Sequence, residues 1–110
     1  MEIDSLMKDP GPDIYYQKEF LDILESYMDY FRNLSDLRTI VVSVEDKAIY
    51  KGDLYGYLTK LKIDSYLHWT IMRLNNMYSP FEFNEDTNTI LLINSNEIDR
   101  IRQIYLNNPI

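Results

Sequence analysis

No cysteine occurs in the 110 residues, which removes disulfides, thiol catalysis and cysteine metal sites together and suits a reducing compartment. Glycine is nearly as scarce. Gly11, Gly52 and Gly56 lie apart, and neither Gly52 nor Gly56 precedes a Lys-Ser or Lys-Thr pair, so a phosphate-cradling loop is excluded. No apolar run approaches the roughly 18 residues of a membrane helix, and the acidic stretch Met1 to Pro10 has no apolar leader segment. The expectation is a chain that neither spans nor is targeted to a membrane. Basic charge is also short: 11 Lys and Arg stand against 18 Asp and Glu, for a net charge of −7 and a pI near 4.5. The densest basic stretches, Lys47 to Lys51 and Lys60 to Lys62, hold two lysines each, so no face suits a phosphate backbone and no nucleic-acid partner is expected.

What is present is a normal globular balance, 45% apolar and 26% charged, in a length that fits one domain with a modest core. Ten tyrosines, from Tyr15 to Tyr105, are too many for so small an interior. An apolar ring with a hydrogen-bonding tip suits an interface, so surface tyrosine points to docking on other proteins.

Along the chain, residues 1–13 hold Pro10, Gly11 and Pro12, which break both helix and ladder. An extended arm is expected there, carrying Ile3, Leu6 and Met7. Residues 14–38 form the next unit. Phe20, Leu24, Tyr27 and Phe31 recur at helical spacing, predicting one amphipathic helix from Ile14 to about Leu34. The β-branched run Thr39 to Val44 predicts a strand, and the polar Glu45, Asp46 and Lys47 predict a turn leading into a second hairpin arm at Ala48 to Tyr50. Asp53 is placed to cap a helix through Leu54, Tyr57, Leu58 and Leu61, ending near Lys62. Asp64 and Ser65 start another, with Leu67, Ile71 and Leu74 inward and Asn75 and Asn76 as its stop. The run Thr89 to Ile93 is short and apolar, as a buried strand is. Asn94 to Asn96 cap a last helix in which Ile98, Ile101, Ile104 and Tyr105 share a face, within a terminal unit of residues 95–110. The order of elements predicts an α+β fold centred on residues 39–94.

Chemistry finds little foothold. His68 has no second histidine or cysteine to complete a metal site or a triad. The acid pairs Glu45 with Asp46 and Glu85 with Asp86 fall in segments expected to be polar turns, where carboxylates solubilise and cap. Asn84 to Asn88 lacks the glycine and closing glutamate of an EF-hand loop. No cofactor, metal or catalytic residue is expected, and the reading is of a non-enzymatic chain.

The middle of the chain carries a set of spaced motifs: Tyr50-Lys51-Gly52-Asp53-Leu54 before a short helix, Lys62-Ile63-Asp64 between helices, Leu74-Asn75-Asn76-Met77 at the second helix end, then Pro80 and the strand Ile90 to Ile93. Together they resemble a LysM domain over roughly residues 48 to 93, which implies a β-α-α-β core. The loop Phe81 to Asp86 departs from the family by lacking the Pro-Gly turn usual in its sugar-binding modules. A LysM-like core with an N-terminal helix and arm and a C-terminal helix is similar to the small baseplate wedge proteins of contractile-tailed bacteriophages. That resemblance implies a structural virion component of the tail baseplate, a late protein assembled in the host cytoplasm with other tail or baseplate proteins as partners. The partner-facing residues expected are Ile3, Leu6, Met7, Ile14, Tyr15, Tyr16 and Tyr105. The alternative that the resemblance implies is a carbohydrate-binding module for peptidoglycan or chitin, with a groove at Gly52, Asp53, Leu54, Tyr55, Met77, Tyr78, Ser79 and Pro80. A small acidic phage regulator acting on a host protein is a further alternative.

Overall fold

Helix α1, Lys18–Ser26, places Phe20 and Leu24 on one side, and the following short helix α2, Met28–Arg32, places Met28 and Phe31 there, all four buried. The single helix expected from the spacing is therefore interrupted at Tyr27. The Ser26 hydroxyl donates to the Ile23 carbonyl at 2.6 Å and Tyr27 sits at φ −97°, ψ 1°, a back-bond and a tightened turn that together break the ladder. The break brings Met28 rather than Tyr27 fully into the core. The structure, a computed structural model, describes residues 17–107.

Strand β1, Arg38–Val41, pairs antiparallel with β2, Thr89–Leu92, in the register Arg38 with Leu92 through Val41 with Thr89. Between them come α3, Val44–Ile49, then α4, Leu54–Lys60, a 3-10 turn at Ser65–Leu67, α5, His68–Leu74, and a second 3-10 turn at Pro80–Glu82; α6, Ser95–Asn107, follows β2. The α+β expectation holds, with helices predominating around one two-stranded sheet. Leu54, Tyr57 and Leu58 from α4, Ile71 and Leu74 from α5, Ile90 and Leu92 from β2, and Ile98 and Ile101 from α6 close one core with the α1 and α2 residues. The terminal helices thus share the interior of the central segment.

Several local signals act as expected. The Asp53 carboxylate accepts from the Gly56 N–H at 2.9 Å at the start of α4. Asn75 ends α5, and Asn76 takes φ 63°, a left-handed conformation that asparagine tolerates. Arg32 completes that helix end from outside, donating to the Leu74 carbonyl at 3.1 Å and the Arg73 carbonyl at 2.8 Å. A cation thereby meets the negative end of α5.

Two further expectations are corrected. The hairpin at residues 45–50 is a helix, because the Ser43 hydroxyl accepts the Asp46 N–H at 3.1 Å and starts α3 where a polar turn was expected. The inner face of α6 holds Ile98, Ile101 and the stem of Arg102, with Ile104 44% exposed, since residue 102 falls one helical turn beyond Ile98 on the core side.

Candidate docking surface

Helix α3 is built with its polarity reversed. Its one buried residue is an aspartate: Asp46 turns inward and receives the Lys60 ammonium from α4 at 2.6 Å. The hydrogen bond to Asp46 raises the Lys60 pKa and so favours the charged pair. With Asp46 as the anchor, Val44, nearly opposite it on the helix, is 78% exposed, and Ile49 in the last turn is 69% exposed. Val41, at the end of β1, is 80% exposed beside them in the chain. Burying a side chain of this size is worth about 1.5–3 kcal/mol, a gain that three residues here leave unrealised within the chain itself.

The sheet has unequal edges. On β2, the Asn75 side chain bonds both main-chain groups of Leu91: its Oδ1 accepts the Leu91 N–H at 2.8 Å and its Nδ2 donates to the Leu91 carbonyl at 3.0 Å. One amide thus takes the place of a neighbouring strand. On β1, the Val42 N–H donates to the Asn88 carbonyl at 2.9 Å, so Val42, Ile40 and Arg38 direct their main-chain groups toward β2. Thr39 and Val41 consequently direct theirs outward, where they meet no partner among the described residues.

A second exposed apolar point lies on the loop after α5, with Tyr78 80% and Phe81 82% exposed. It is rigidly held. Ser79 and Glu82 form a capping box around the 3-10 turn, and Glu82 also accepts the Tyr78 N–H. Arg73 lies over the Tyr78 ring at 4.3 Å, donates to the Met77 carbonyl at 2.8 Å, and is gripped by both Glu25 oxygens at 2.7 and 2.9 Å. The Arg73 hydrogen bond holds the Glu25 carboxyl below the usual glutamate range.

Of the expected partner residues, Ile3, Leu6, Met7, Ile14, Tyr15 and Tyr16 lie outside the described residues. Tyr105 is half-buried, its ring 5.4 Å from that of Phe20 and its hydroxyl 3.3 Å from Glu19, so it joins α6 to α1. The proposed glycan groove is brought together in part. The Gly52 N–H donates to the Phe83 carbonyl at 2.7 Å, tying the loop before α4 to the loop after α5. Leu54 and Met77, however, are buried in the core, Asp53 and Ser79 are engaged in capping, and Tyr55 packs half-buried against His68. Tyr78 is the groove ring left widely open at 80%, while Pro80 and Gly52 are half-buried.

His68 is buried, its Nε2 2.9 Å from the Ile63 carbonyl. Glu45 and Asp46 lie in a helix rather than in a turn, and Glu85 pairs with Lys51 at 3.6 Å. No cluster of His, Cys, Asp and Glu fit to hold a metal exists among the described residues. A cleft of about 370 Å³ has Ile63, Leu67 and Ile71 as apolar lining and a charge-balanced rim of Asp36, Arg38, Lys62 and Asp64. No described helix is long and apolar enough to cross a membrane.

The outward Val44 and Ile49 were not foreseen. The spacing Ser43-x-x-Asp46 is a helix start that places Val44 nearly opposite Asp46, whereas Ile49, three residues on, shares the Asp46 side and its exposure has no signal in the sequence. Compared with family models, with curated proteins and with solved structures, the chain matches none.

Proposed function

We propose that this chain is a structural protein–protein adaptor, a wedge-type component of a contractile phage tail baseplate, docking to neighbouring tail or baseplate subunits in the virion. The observation that carries the docking part is α3, whose core-facing anchor is a salt-bridged aspartate and whose valine and isoleucine face outward. Aliphatic side chains exposed on such a helix add burial free energy when a partner covers them. Support for the LysM-like part comes from the spaced motif residues and from the two helices between them; the residues just before the Gly52-Asp53 turn are the end of α3 rather than a strand, and the strand that pairs with β2 lies earlier, at Arg38–Val41. The phage assignment rests on the sequence resemblance alone, spaced LysM-like motifs flanked by an N-terminal helix and arm and a C-terminal helix as in small baseplate wedge proteins.

The second reading, a peptidoglycan- or chitin-binding module, draws on Tyr78, an open aromatic ring next to the loop that Gly52 ties in. Sedimentation separates the two. The adaptor reading expects the chain in purified tail particles, with antibody to it labelling the baseplate, and no retention on insoluble peptidoglycan or chitin. Retention on either glycan with absence from particles would replace the first reading by the second.

A further inference from the structure

The two edges of the sheet have been treated differently by the sequence. Asn75 closes β2, yet among the described residues nothing comparable closes β1, although edge strands are commonly blunted by lysine, proline or a bulge. The outward groups belong to Thr39 and Val41, one residue either side of Ile40. That spacing is self-complementary. When two β1 strands run antiparallel about a two-fold axis at Ile40, Thr39 faces the copy's Val41 and exchanges both main-chain hydrogen bonds with it, and the reciprocal pair does the same.

The charges around the strand fit the same arrangement. Thr39, Ile40 and Val41 are uncharged, so the seam concentrates none of the net negative charge. Arg38 then lies across from the copy's Val42, beside the acidic first turn of the copy's α3. Arg38 and Glu45 are both exposed, and neither has an ion-pair partner among the described residues. The chain therefore carries a cation at one end of its open edge and a carboxylate just past the other, which an antiparallel copy brings together twice. Val41, with Val44 close behind it, would be covered at the same time.

We propose that a second copy of this chain occupies the β1 edge, forming a two-fold dimer with a continuous four-stranded sheet in the order β2, β1, β1, β2. This rests on the docking reading and names one partner for it.

The test is sedimentation equilibrium of the purified full chain over a range of concentrations, with hydrogen exchange at the Thr39 and Val41 amides. The expected result is a monomer–dimer equilibrium in which protection of those two amides rises with concentration. Val41→Lys, which places a charge on an exposed edge position, should weaken association by roughly tenfold or more. Arg38→Glu should weaken it as well, and the double variant Arg38→Glu with Glu45→Arg should restore it, an effect that unfolding would not produce. A wild-type monomer up to roughly 1 mM, or association unchanged by Val41→Lys, overturns the proposal. Protection of the two amides in a chain that sediments as a monomer also overturns it, because the edge is then covered within one chain. Because particle binding is not read in this assay, failure of the dimer leaves the adaptor test standing separately.

Discussion

Replacing Asn75 by alanine removes one amide that serves two purposes, ending α5 and standing in for a strand beside β2. Its Nδ2 donates to the Ile71 carbonyl at 2.8 Å and the Leu91 carbonyl at 3.0 Å, and its Oδ1 accepts the Leu91 N–H at 2.8 Å. Each such bond contributes a net of about 0.5–1.5 kcal/mol, and a polar group left buried without a partner costs about 1–3 kcal/mol. Asn75 is half-buried, so water can reach part of the vacated space and the lower half of the summed range applies, about 2 kcal/mol. Against a total stability of about 5–15 kcal/mol for a single domain, that is a large fraction. Thermal unfolding followed by circular dichroism should show a fall of roughly 8–12 °C, and urea unfolding a lower midpoint with unchanged slope. Hydrogen exchange supplies the local readout: the Leu91 amide should lose more protection than the Ile90 amide, which remains paired to β1. A loss under about 0.5 kcal/mol, or equal loss of protection at Leu91 and Ile90, would refute the view that Asn75 closes the sheet edge.

Phe31, fully buried, should cost about 3–5 kcal/mol as Phe31→Ala in denaturant titration, a value that a helix outside the core would not reach. Gly56→Ala sets two effects against each other: helix propensity favours alanine by about 1 kcal/mol, but a Cβ there would lie 2.1 Å from the Asp53 carboxylate oxygen and displace the cap, at about 1–2 kcal/mol. The cap should win, so Gly56→Ala is neutral or destabilising in wild type and stabilising in an Asp53→Ala background, a reversal that a double-mutant cycle measures. Acid titration of stability tests the Glu25–Arg73 pair. Because Arg73 lowers the folded pKa of Glu25 below the ordinary 4.5, its contribution is complete above that value and is lost as pH falls through the folded pKa. Glu25→Gln should flatten that acid limb, and an unchanged limb would contradict the assignment.

The parts of the fold that could be foreseen are those where a local signal and burial agree. Asp53 caps α4, Asn75 and Asn76 stop α5, and the apolar run from Thr89 becomes β2, because each backbone preference there adjoins apolar residues, Leu54, Leu74 and Ile90, that are buried in the core. Residues 44–49 carry no such agreement. A six-residue helix has too few turns to show a period, and its apolar residues face away from the core, so Glu45, Asp46 and Lys47 looked like a turn. The interruption at Tyr27 depends on one hydroxyl back-bond that no periodicity announces. The candidate surface was half legible for the same reason. Tyr78 lies beside a proline and a helix stop, whereas Val41 faces outward by strand alternation and Val44 because Asp46, nearly opposite it on α3, turns in to Lys60. Tyr105, chosen as a surface tyrosine, is drawn inward by Phe20, a contact between residues at opposite ends of the chain.

Incorporation of an α3 variant into tail particles tests the central claim most directly. Val44→Glu with Ile49→Glu alters two side chains that touch solvent in the isolated chain, so its thermal midpoint should lie within about 2 °C of wild type. Wild-type chain should co-sediment with the particles, and this folded variant should not. Equal incorporation of the two would contradict that claim.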